Sequence, residues 1–338
     1  MKRIYLSIIF VSIMLTACNV KVVDNYFSSL PNDVAKGKTI LEISPGQREN
    51  VYIIDGYICS INERGMSEFV LEIRPLDDTT HIVNLIPYGM GADKMLLVDY
   101  SISGTKILVR DIVQHNYAIV DIHKVLDNPP QTIDLQPYSL LTQEMIPIEN
   151  KNIVYLNQGS FKSTEKRYYV IRQDEQPRKL SRNGRKSLNV LDGFFLYEPS
   201  RDRLAFLHMY APEIEYYSFH NQTLLSKSRI EREDDAQIIE YNGDETAKFL
   251  FVNHVPLCFV AGSSDSERIA AVYCDEQEHF HVLILDWEGN IQGGFISESE
   301  VWSVSICNDY LYCWEKGEEQ DKLVRYDMQD IQLNSLRQ

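Results

Sequence analysis

The chain has 338 residues and lacks the local signatures of most enzymes. No Gly-x-Ser-x-Gly elbow, no His-Glu-x-x-His pair and no phosphate-cradling Gly-x4-Gly-Lys loop occurs, so nucleophilic, zinc-hydrolytic and P-loop chemistry have no motif to stand on. Gly89-Met-Gly91 lacks a third glycine and a following helix, and reads as a turn. No Cys-x-x-Cys spacing offers a metal cage. Basic charge is scarce: 33 Lys and Arg face 49 Asp and Glu, a formal net charge of −16. That excludes nucleic acid, which needs a basic footprint, and electrostatic adhesion to anionic lipid. Long apolar runs are absent beyond the first residues, and few windows keep a helical i, i+3, i+4, i+7 stripe.

What is present begins with the leader. Lys2 and Arg3 precede an apolar run from Tyr5 to Leu15, closed by Leu15-Thr16-Ala17-Cys18. That is the layout of a secretory signal, and its apolar stretch is shorter than the roughly 20 residues of a membrane span. The last four residues resemble the bacterial lipobox. The resemblance implies cleavage before Cys18 and diacylglycerol on its thiol. More than one acyl chain, at about 0.8 kcal/mol per buried CH₂, anchors a protein stably without a transmembrane helix. The expected division is a signal peptide over 1–17, lipidated Cys18 and a tether over 18–37, a folded body over 38–330 and a tail over 331–338. Removal of Lys2 and Arg3 leaves 31 basic against 49 acidic residues, a net charge of −18. The expected hold on the membrane is the lipid on Cys18. An outer-membrane anchor is expected by analogy, with the periplasmic or surface face open.

Five further cysteines remain: Cys59, Cys258, Cys274, Cys307 and Cys313. Cys307 and Cys313 flank Asn308-Asp309, a two-residue turn in which Cys307 faces Tyr310 and Cys313 faces Val304. Alternation then sends the two thiols to opposite sides of the sheet. The pairing state of the five stays open, with buried free thiols the plainer reading.

Twenty tyrosines and thirteen phenylalanines favour β-structure, and one pattern returns along the chain. A polar turn leads into a short strand, a polar gap follows, and a second strand ends near an aromatic residue or an Asp. The equivalent apolar positions are Ile58, Ile107, Ile153, Leu204, Ile269 and Leu311, at intervals of 49, 46, 51, 65 and 42 residues. Six such units suit the four-stranded blades of a β-propeller, so the expected fold is all-β and six-bladed. Two β-sandwiches are the competing arrangement. Lys38–Ile43 precedes the first unit and is placed to complete the last one after Asp327.

The turns Ser200-Arg-Asp-Arg-Leu-Ala-Phe206 and Ser264-Asp-Ser-Glu-Arg-Ile-Ala270 resemble the Ser-Pro-Asp-Gly-x-x-Ile/Leu-Ala repeat of TolB-like propellers, although the Pro is replaced in every copy and the Gly survives only as Gly104. With its lipobox leader, the chain is similar to the TolB-like six-bladed lipoproteins of Bacteroides-type bacteria. The resemblance implies a fold and an envelope location. It brings no catalytic motif.

Candidate sites are few. His279 and His281 lie two residues apart, a spacing that puts both rings on one strand face, yet Asp275–His281 reads as an exposed hairpin tip. Asp121, Asp286 and Asp327 recur at unit ends and read as acceptors in turns. The longest interval contains an acidic insertion over residues 230–248, with Ile238, Ile239 and Tyr241 embedded in it as candidate binding residues. The functional expectation is an anchored binding module for an envelope protein or glycan, with no cofactor, metal or defined catalysis. The alternative is a glycan-acting hydrolase or lyase that gathers acids from several units at a central channel.

Overall fold

The computed structural model describes residues 22–335, apart from 46–49, 64–66, 79, 131, 139–141, 149–151, 159–167, 172–177, 180–192, 210, 222 and 232–256. Its strands form antiparallel four-stranded sheets taken in chain order: β3 (Asn50–Ile54) to β6 (Val83–Pro87), by way of β4 (Tyr57–Ile61) and β5 (Phe69–Pro75). Next come β7 (Val98–Ser103), β8 (Lys106–Asp111), β9 (Asn116–Asp121) and β10 (Gln136–Pro137). Then follow β11 (Thr142–Ile148), β12 (Asn152–Gln158), β13 (Tyr168–Ile171) and β14 (Arg178–Lys179). The fourth sheet holds β15 (Gly193–Glu198), β16 (Arg203–His208), β17 (Glu213–Ser218) and β18 (Thr223–Ile230). The fifth holds β19 (Phe259–Ser264), β20 (Arg268–Cys274), β21 (Phe280–Asp286) and β22 (Ile291–Ser297). The last is β23 (Glu300–Cys307), β24 (Tyr310–Lys316), β25 (Asp321–Asp327) and, from the other end of the chain, β2 (Lys38–Ile43).

Each apolar cluster belongs to two neighbouring sheets. Val70 and Ile73 pack with Val98 and Ile107. Val51 and Ile58 pack with Tyr312 and Trp314. Val272 and Ile284 pack with Val304 and Leu311, and Ala205 and Tyr216 with Ile269 and Leu285. A sheet that buries both faces against different neighbours is a propeller blade, and burial of each large side chain stabilises the ring by about 1.5–3 kcal/mol. Five blades are described with their side chains, where the repeat predicts six. The sheet at the remaining position, β11–β14, is described by its pairing and by Met145–Pro147 alone.

The repeat is anchored at one place in every sheet. Ile58, Ile107, Ile153, Leu204, Ile269 and Leu311 are each the second residue of the second strand. Ile58, Ile107, Leu204, Ile269 and Leu311 are fully buried. The first strand of each blade lies innermost, and its free edge is met by the next blade through side chains. Ser101 of β7 donates to the Met145 carbonyl of β11. Ser263 of β19 accepts from the Ile306 N–H of β23 at 3.1 Å. Ser303 donates to the Val51 carbonyl, and Ser305 accepts from the Ile53 N–H at 3.0 Å. Ser101, Ser263 and Ser305 stand at the same point, three residues before Gly104, Ser266 and Asn308 of the turns that follow. In the first blade that point is Tyr52, whose hydroxyl meets Tyr100 of β7 at 2.7 Å.

The ring closes as the sequence leads one to expect: β2 pairs antiparallel with β25, Lys38 opposite Arg325 and Ile43 opposite Asp321. The Cys307–Tyr310 and Val304–Cys313 registers also hold, and the two thiols fall in different apolar clusters. All five cysteines after Cys18 are free and buried.

Two segments differ from expectation. The stretch read as a tether carries β1 (Val23–Phe27), which adds to β18 in parallel as a fifth strand. Asn25 donates to the Glu288 carbonyl at 2.9 Å, and Val34 bridges Ile296 further on. These residues strap the outer faces of two blades, because their carbonyl and amide groups find ready partners on exposed sheet edges. The region read as a tail begins inside α2 (Met328–Ser335), whose Met328 and Ile331 are buried in the core. A shorter helix, α1 (Ile122–Asp127), follows β9.

Removing the Ser305 hydroxyl leaves the buried Ile53 N–H without its acceptor. Ser305→Ala is expected to lower unfolding free energy by about 1–3 kcal/mol in chemical denaturation, and Ser305→Thr by much less. Equal stabilities of the Ala variant and the wild type would remove the serine bridge from the account of ring closure.

Candidate functional site

The inner strands surround a cavity of about 1070 Å³ on the ring axis. Its wall draws on β3, β7, β15, β19 and β23 and on the turns that follow them. At one end, here the turn end, stand Asp55 of the β3–β4 turn, Gly104 and Thr105 of the next, Pro199, Asp265 and Asn308. Asp55 and Gly56 both have positive φ, 48° and 80°. That is the twist a two-residue hairpin turn needs, and glycine adopts it without strain. At the opposite end stand Glu63 and Asp99, tied to the starts of the strands by the Asn50 Nδ2 bond to Glu63 at 2.6 Å and the Val98 N–H bond to the Glu63 carbonyl.

Between the ends the wall is aromatic and aliphatic. Tyr52 and Tyr100 meet edge to face, ring centres 5.7 Å apart. Phe194, Phe195 and Tyr197 of β15 also line the cavity, Phe194 packed toward β19 and Phe195 and Tyr197 toward β11. Burial raises the Tyr52 hydroxyl far above the ordinary tyrosine value. Burial, the Tyr52 hydroxyl and the Glu63 charge raise Tyr100 as well. Both phenols therefore stay protonated and serve as hydrogen-bond donors or acceptors, not as bases. Most of the acids have structural partners. Arg110 clasps Asp99 through Nε at 2.8 Å and through Nη2. Arg268 holds Asp265 through Nε at 3.0 Å and Nη2 at 2.6 Å, while Asp265 Oδ1 accepts the Glu267 and Arg268 N–H groups. Glu198 accepts the Ser200 N–H at 2.9 Å, and His123 meets Asp55 at 2.7 Å.

Cys18 and the candidate residues Ile238, Ile239 and Tyr241 lie outside the described residues. His279 and His281 do come together, but around an acid. His281 Nε2 and His279 Nδ1 both reach Asp275 Oδ2, at 3.0 and 3.2 Å, and His281 Nδ1 meets the Pro31 carbonyl at 3.1 Å. His281 is buried, not at an exposed tip, because the strap that carries Pro31 covers it. Both of its ring nitrogens are engaged. Of the unit-end aspartates, Asp286 accepts from the Glu288 and Asn290 N–H groups and Asp327 from Gln329. Asp121 instead pairs with Lys124 at 3.6 Å.

Sequence reasoning missed a buried group, His208, Glu213 and Glu215, whose ligand-type atoms lie within 4.8 Å of one another. Register explains it: Glu213 and Glu215 share a face of β17, and His208 continues β16 beside them. Lys227 of β18 sits opposite Glu215 and bonds Glu213 Oε1 at 2.9 Å and Glu215 Oε1 at 3.0 Å. Tyr217 donates to Glu215 Oε2 at 2.6 Å. The carboxylates thus already hold a cation, the ammonium of Lys227, and the group is a buried ion-pair knot on the face turned toward β11. The spacing His208-x4-Glu213-x-Glu215 was the available signal, but it has meaning only once Lys227 is brought alongside.

No protein-family model and no curated protein matches the chain. Solved structures do. A Bacteroides fragilis protein described as exported superposes with a TM-score of 0.52 at 8% identity, over 90% of this chain and 99% of its own. BamB from Moraxella catarrhalis gives 0.41 at 14%, over 86% and 100%. The first likeness supports the propeller fold. Among the described residues, no helix is long and apolar enough to cross a membrane.

Two measurements probe these knots. Lys227→Met removes the ammonium that both buried carboxylates bind, leaving Arg229 on Glu213 and Tyr217 on Glu215, and is expected to cost about 3 kcal/mol, with part of the loss recovered when Glu213→Gln and Glu215→Gln are added. Undiminished stability of the single variant would show that the ammonium is dispensable. For Asp275, burial acts to raise the pKa, but hydrogen bonds from His281, the His279 and Gln277 amides and the His279 ring outweigh it and hold the carboxyl below the usual range. A lowered folded pKa contributes stability above the unfolded value of about 3.9 and loses it as pH falls through the folded one. The gap in unfolding midpoint between wild type and Asp275→Asn is therefore largest above about pH 4 and shrinks below it. A gap independent of pH would contradict this.

Proposed function

We propose that the protein is a lipid-anchored envelope lipoprotein whose propeller, six-bladed and of the TolB-like type, is a non-catalytic binding module for a protein or glycan. The observation that carries the binding reading is the axial cavity, where aromatic and carboxylate side chains from different blades converge on a volume of about 1070 Å³. Concave sites with an apolar lining and a few placed polar groups are where ligands bind. The blade count rests on pairing in six sheets and on the recurring second-strand residue in each. Envelope location rests on the leader, the lipobox and the likeness to a protein described as exported.

The anchor and the strap together limit how far the propeller stands from its membrane. Four residues, Asn19 to Val22, separate Cys18 from Val23 of β1, so the five Cα steps reach at most about 18 Å at 3.3–3.6 Å per residue. On this reading the blade edge that carries β1 is held near the bilayer.

A glycan-acting hydrolase or lyase draws its support from the same carboxylates. Asp55, Glu198 and Asp265 come from three blades to one end of the axis. Each already has a partner in or beside its own turn, which favours binding over proton transfer.

The test is a crosslinked pull-down of the protein from its native membrane, with Cys18→Ala alongside, and mass spectrometry of the N-terminal peptide. The expected result is an acylated Cys18, a partner captured in stoichiometric amount by the anchored form, and a soluble Cys18→Ala variant. An unmodified Cys18 on a protein that fractionates like the variant would overturn the anchor. Turnover of an envelope glycan that is abolished by Glu198→Gln would replace binding with catalysis.

A further inference from the structure

The end of the ring opposite the turns carries a surface that neither the cavity nor the strap accounts for. Met90, Ile112 and Val113 stand there with 65%, 43% and 48% of their surface exposed. Met90 lies in the connection from β6 to β7, and Ile112 and Val113 open the β8–β9 turn. Exposed apolar side chains scattered singly are ordinary, whereas several gathered on one surface mark an interaction site.

Hydrogen bonds do the gathering. The loop around Met90 is closed at its base, where Met95 is fully buried. The Gly89 N–H donates to the Met95 carbonyl at 2.8 Å and the Met95 N–H to the Pro87 carbonyl at 3.2 Å. Gln114 ties this loop to the turn. Its Oε1 accepts the Gly91 N–H at 3.1 Å, and its Nε2 meets the Gly89 and Lys94 carbonyls at 3.2 and 3.1 Å, so the bonds fall on both sides of Met90. Val113 is the residue next to Gln114. Buried Asp111 fixes loop and turn alike: its Oδ1 accepts the Val113 and Gln114 N–H groups at 2.8 and 2.9 Å, and its Oδ2 the Leu96 N–H at 2.6 Å. Apolar side chains on a backbone already held in place bind a partner with little further ordering cost.

Strand direction and charge say what covers them. The Ile230 N–H, which ends β18, bonds the Pro212 carbonyl at the opposite end. Val23 pairs with Ser226 and Phe27 with Ile230 in parallel, so β1 enters from the turn end. On the anchored reading the bilayer lies on that side. The six residues of β8 separate the Met90 surface from the turn end, about 20 Å at 3.3 Å per residue. A second copy is a poor occupant. Two chains of net charge −16 repel, and three side chains fall short of the roughly 800 Å² per partner that a stable interface buries. The same charge draws a basic partner.

We propose that Met90, Ile112 and Val113 form the docking surface for a short segment of a partner protein that presents apolar side chains flanked by lysine or arginine. This surface gives the binding module a partner class and rests on that reading.

Calorimetric titration of the detergent-extracted protein, and of the Cys18→Ala form so that vesicles report the surface and not the lipid, tests it. The probes are a short amphipathic helix of leucine and lysine, its serine–lysine and leucine–glutamate counterparts, and vesicles of phosphatidylethanolamine and phosphatidylglycerol. The leucine–lysine peptide is expected to bind at least tenfold more tightly than either counterpart. Met90→Ser with Val113→Ser is expected to weaken it at least tenfold at an unfolding midpoint matching the wild type, and Met90→Ser alone to give part of that loss. Ile82→Ser, at an exposed position near the turn end, is expected to change nothing. Equal binding of the leucine–lysine and serine–lysine peptides reports general attraction to an acidic protein and overturns the proposal. So does binding unchanged by the double substitution, or vesicle binding without peptide binding. The native-membrane pull-down, repeated with the double variant, separates this surface from the wider reading. A partner lost from that variant and kept by Ile82→Ser supports the surface. A partner kept by both overturns it and leaves the binding module standing, whereas an empty pull-down with every form removes both.

Discussion

The structure depends on how the innermost strand of each blade disposes of its free edge. A strand at a sheet edge exposes a row of unpaired N–H and C=O groups, and in a propeller that edge points inward, where its neighbours are other edges. Backbone pairing between blades would flatten the ring into one continuous sheet. Side-chain hydroxyls avoid this. Ser101, Ser263, Ser303 and Ser305 reach the neighbouring strand with one bond each, which is enough to satisfy a buried group and too little to merge two sheets. A serine can donate or accept, so one residue type serves the Val51 carbonyl and the Ile53 amide alike. The arrangement leaves the axis open, and the cavity is its consequence.

The rest of the ring follows from that geometry. Blades held at their inner edges splay outward, and the wedges between them fill with large side chains; Trp287, Trp314, Tyr216 and Phe206 are among the largest fully buried ones. Gly262 shows how tight the inner contacts are. A Cβ there would stand 3.0 Å from the Phe194 ring and 3.1 Å from Leu207, so the absence of a side chain on β19 lets β15 approach. At the outer edge, β2 supplies the strand that the last blade lacks, and β1 and the Pro31 carbonyl extend the N-terminal segment across two blades. Opening the ring therefore requires the N-terminal segment to leave the last blade.

How much of this the sequence carried depends on the range of the interaction. The repeat was legible because a buried residue just after a polar turn is a local pattern, and Ile58, Ile107, Leu204, Ile269 and Leu311 all obey it. The Cys307–Tyr310 register was legible because a two-residue turn fixes it. The strap was not. Val23–Phe27 alternates weakly and is mostly exposed, and its strand character comes from β18, some two hundred residues away in sequence. His281 was read as solvated for the same reason: what covers it is Pro31, which no local spacing announces. The ion-pair knot needed three strands in register before His208, Glu213, Glu215 and Lys227 could meet. Serines three residues before the turns were visible as residues and invisible as bridges.

The acids around the axis show why a convergence of carboxylates does not by itself make a catalytic site. A general acid needs a raised pKa, and a nucleophile or base needs a lone pair free to reach substrate. Asp265 has one oxygen on two backbone amides of its own turn and the other on Arg268, so its lone pairs are committed to shaping the turn. Asp99 is bound in the same way to Arg110 and to the Tyr100 amide. The tyrosines, which burial keeps protonated, can donate to a ligand but cannot accept its proton. What these groups share is commitment to the wall of the cavity: their hydrogen bonds hold the turns and the innermost strands in place and so set its shape.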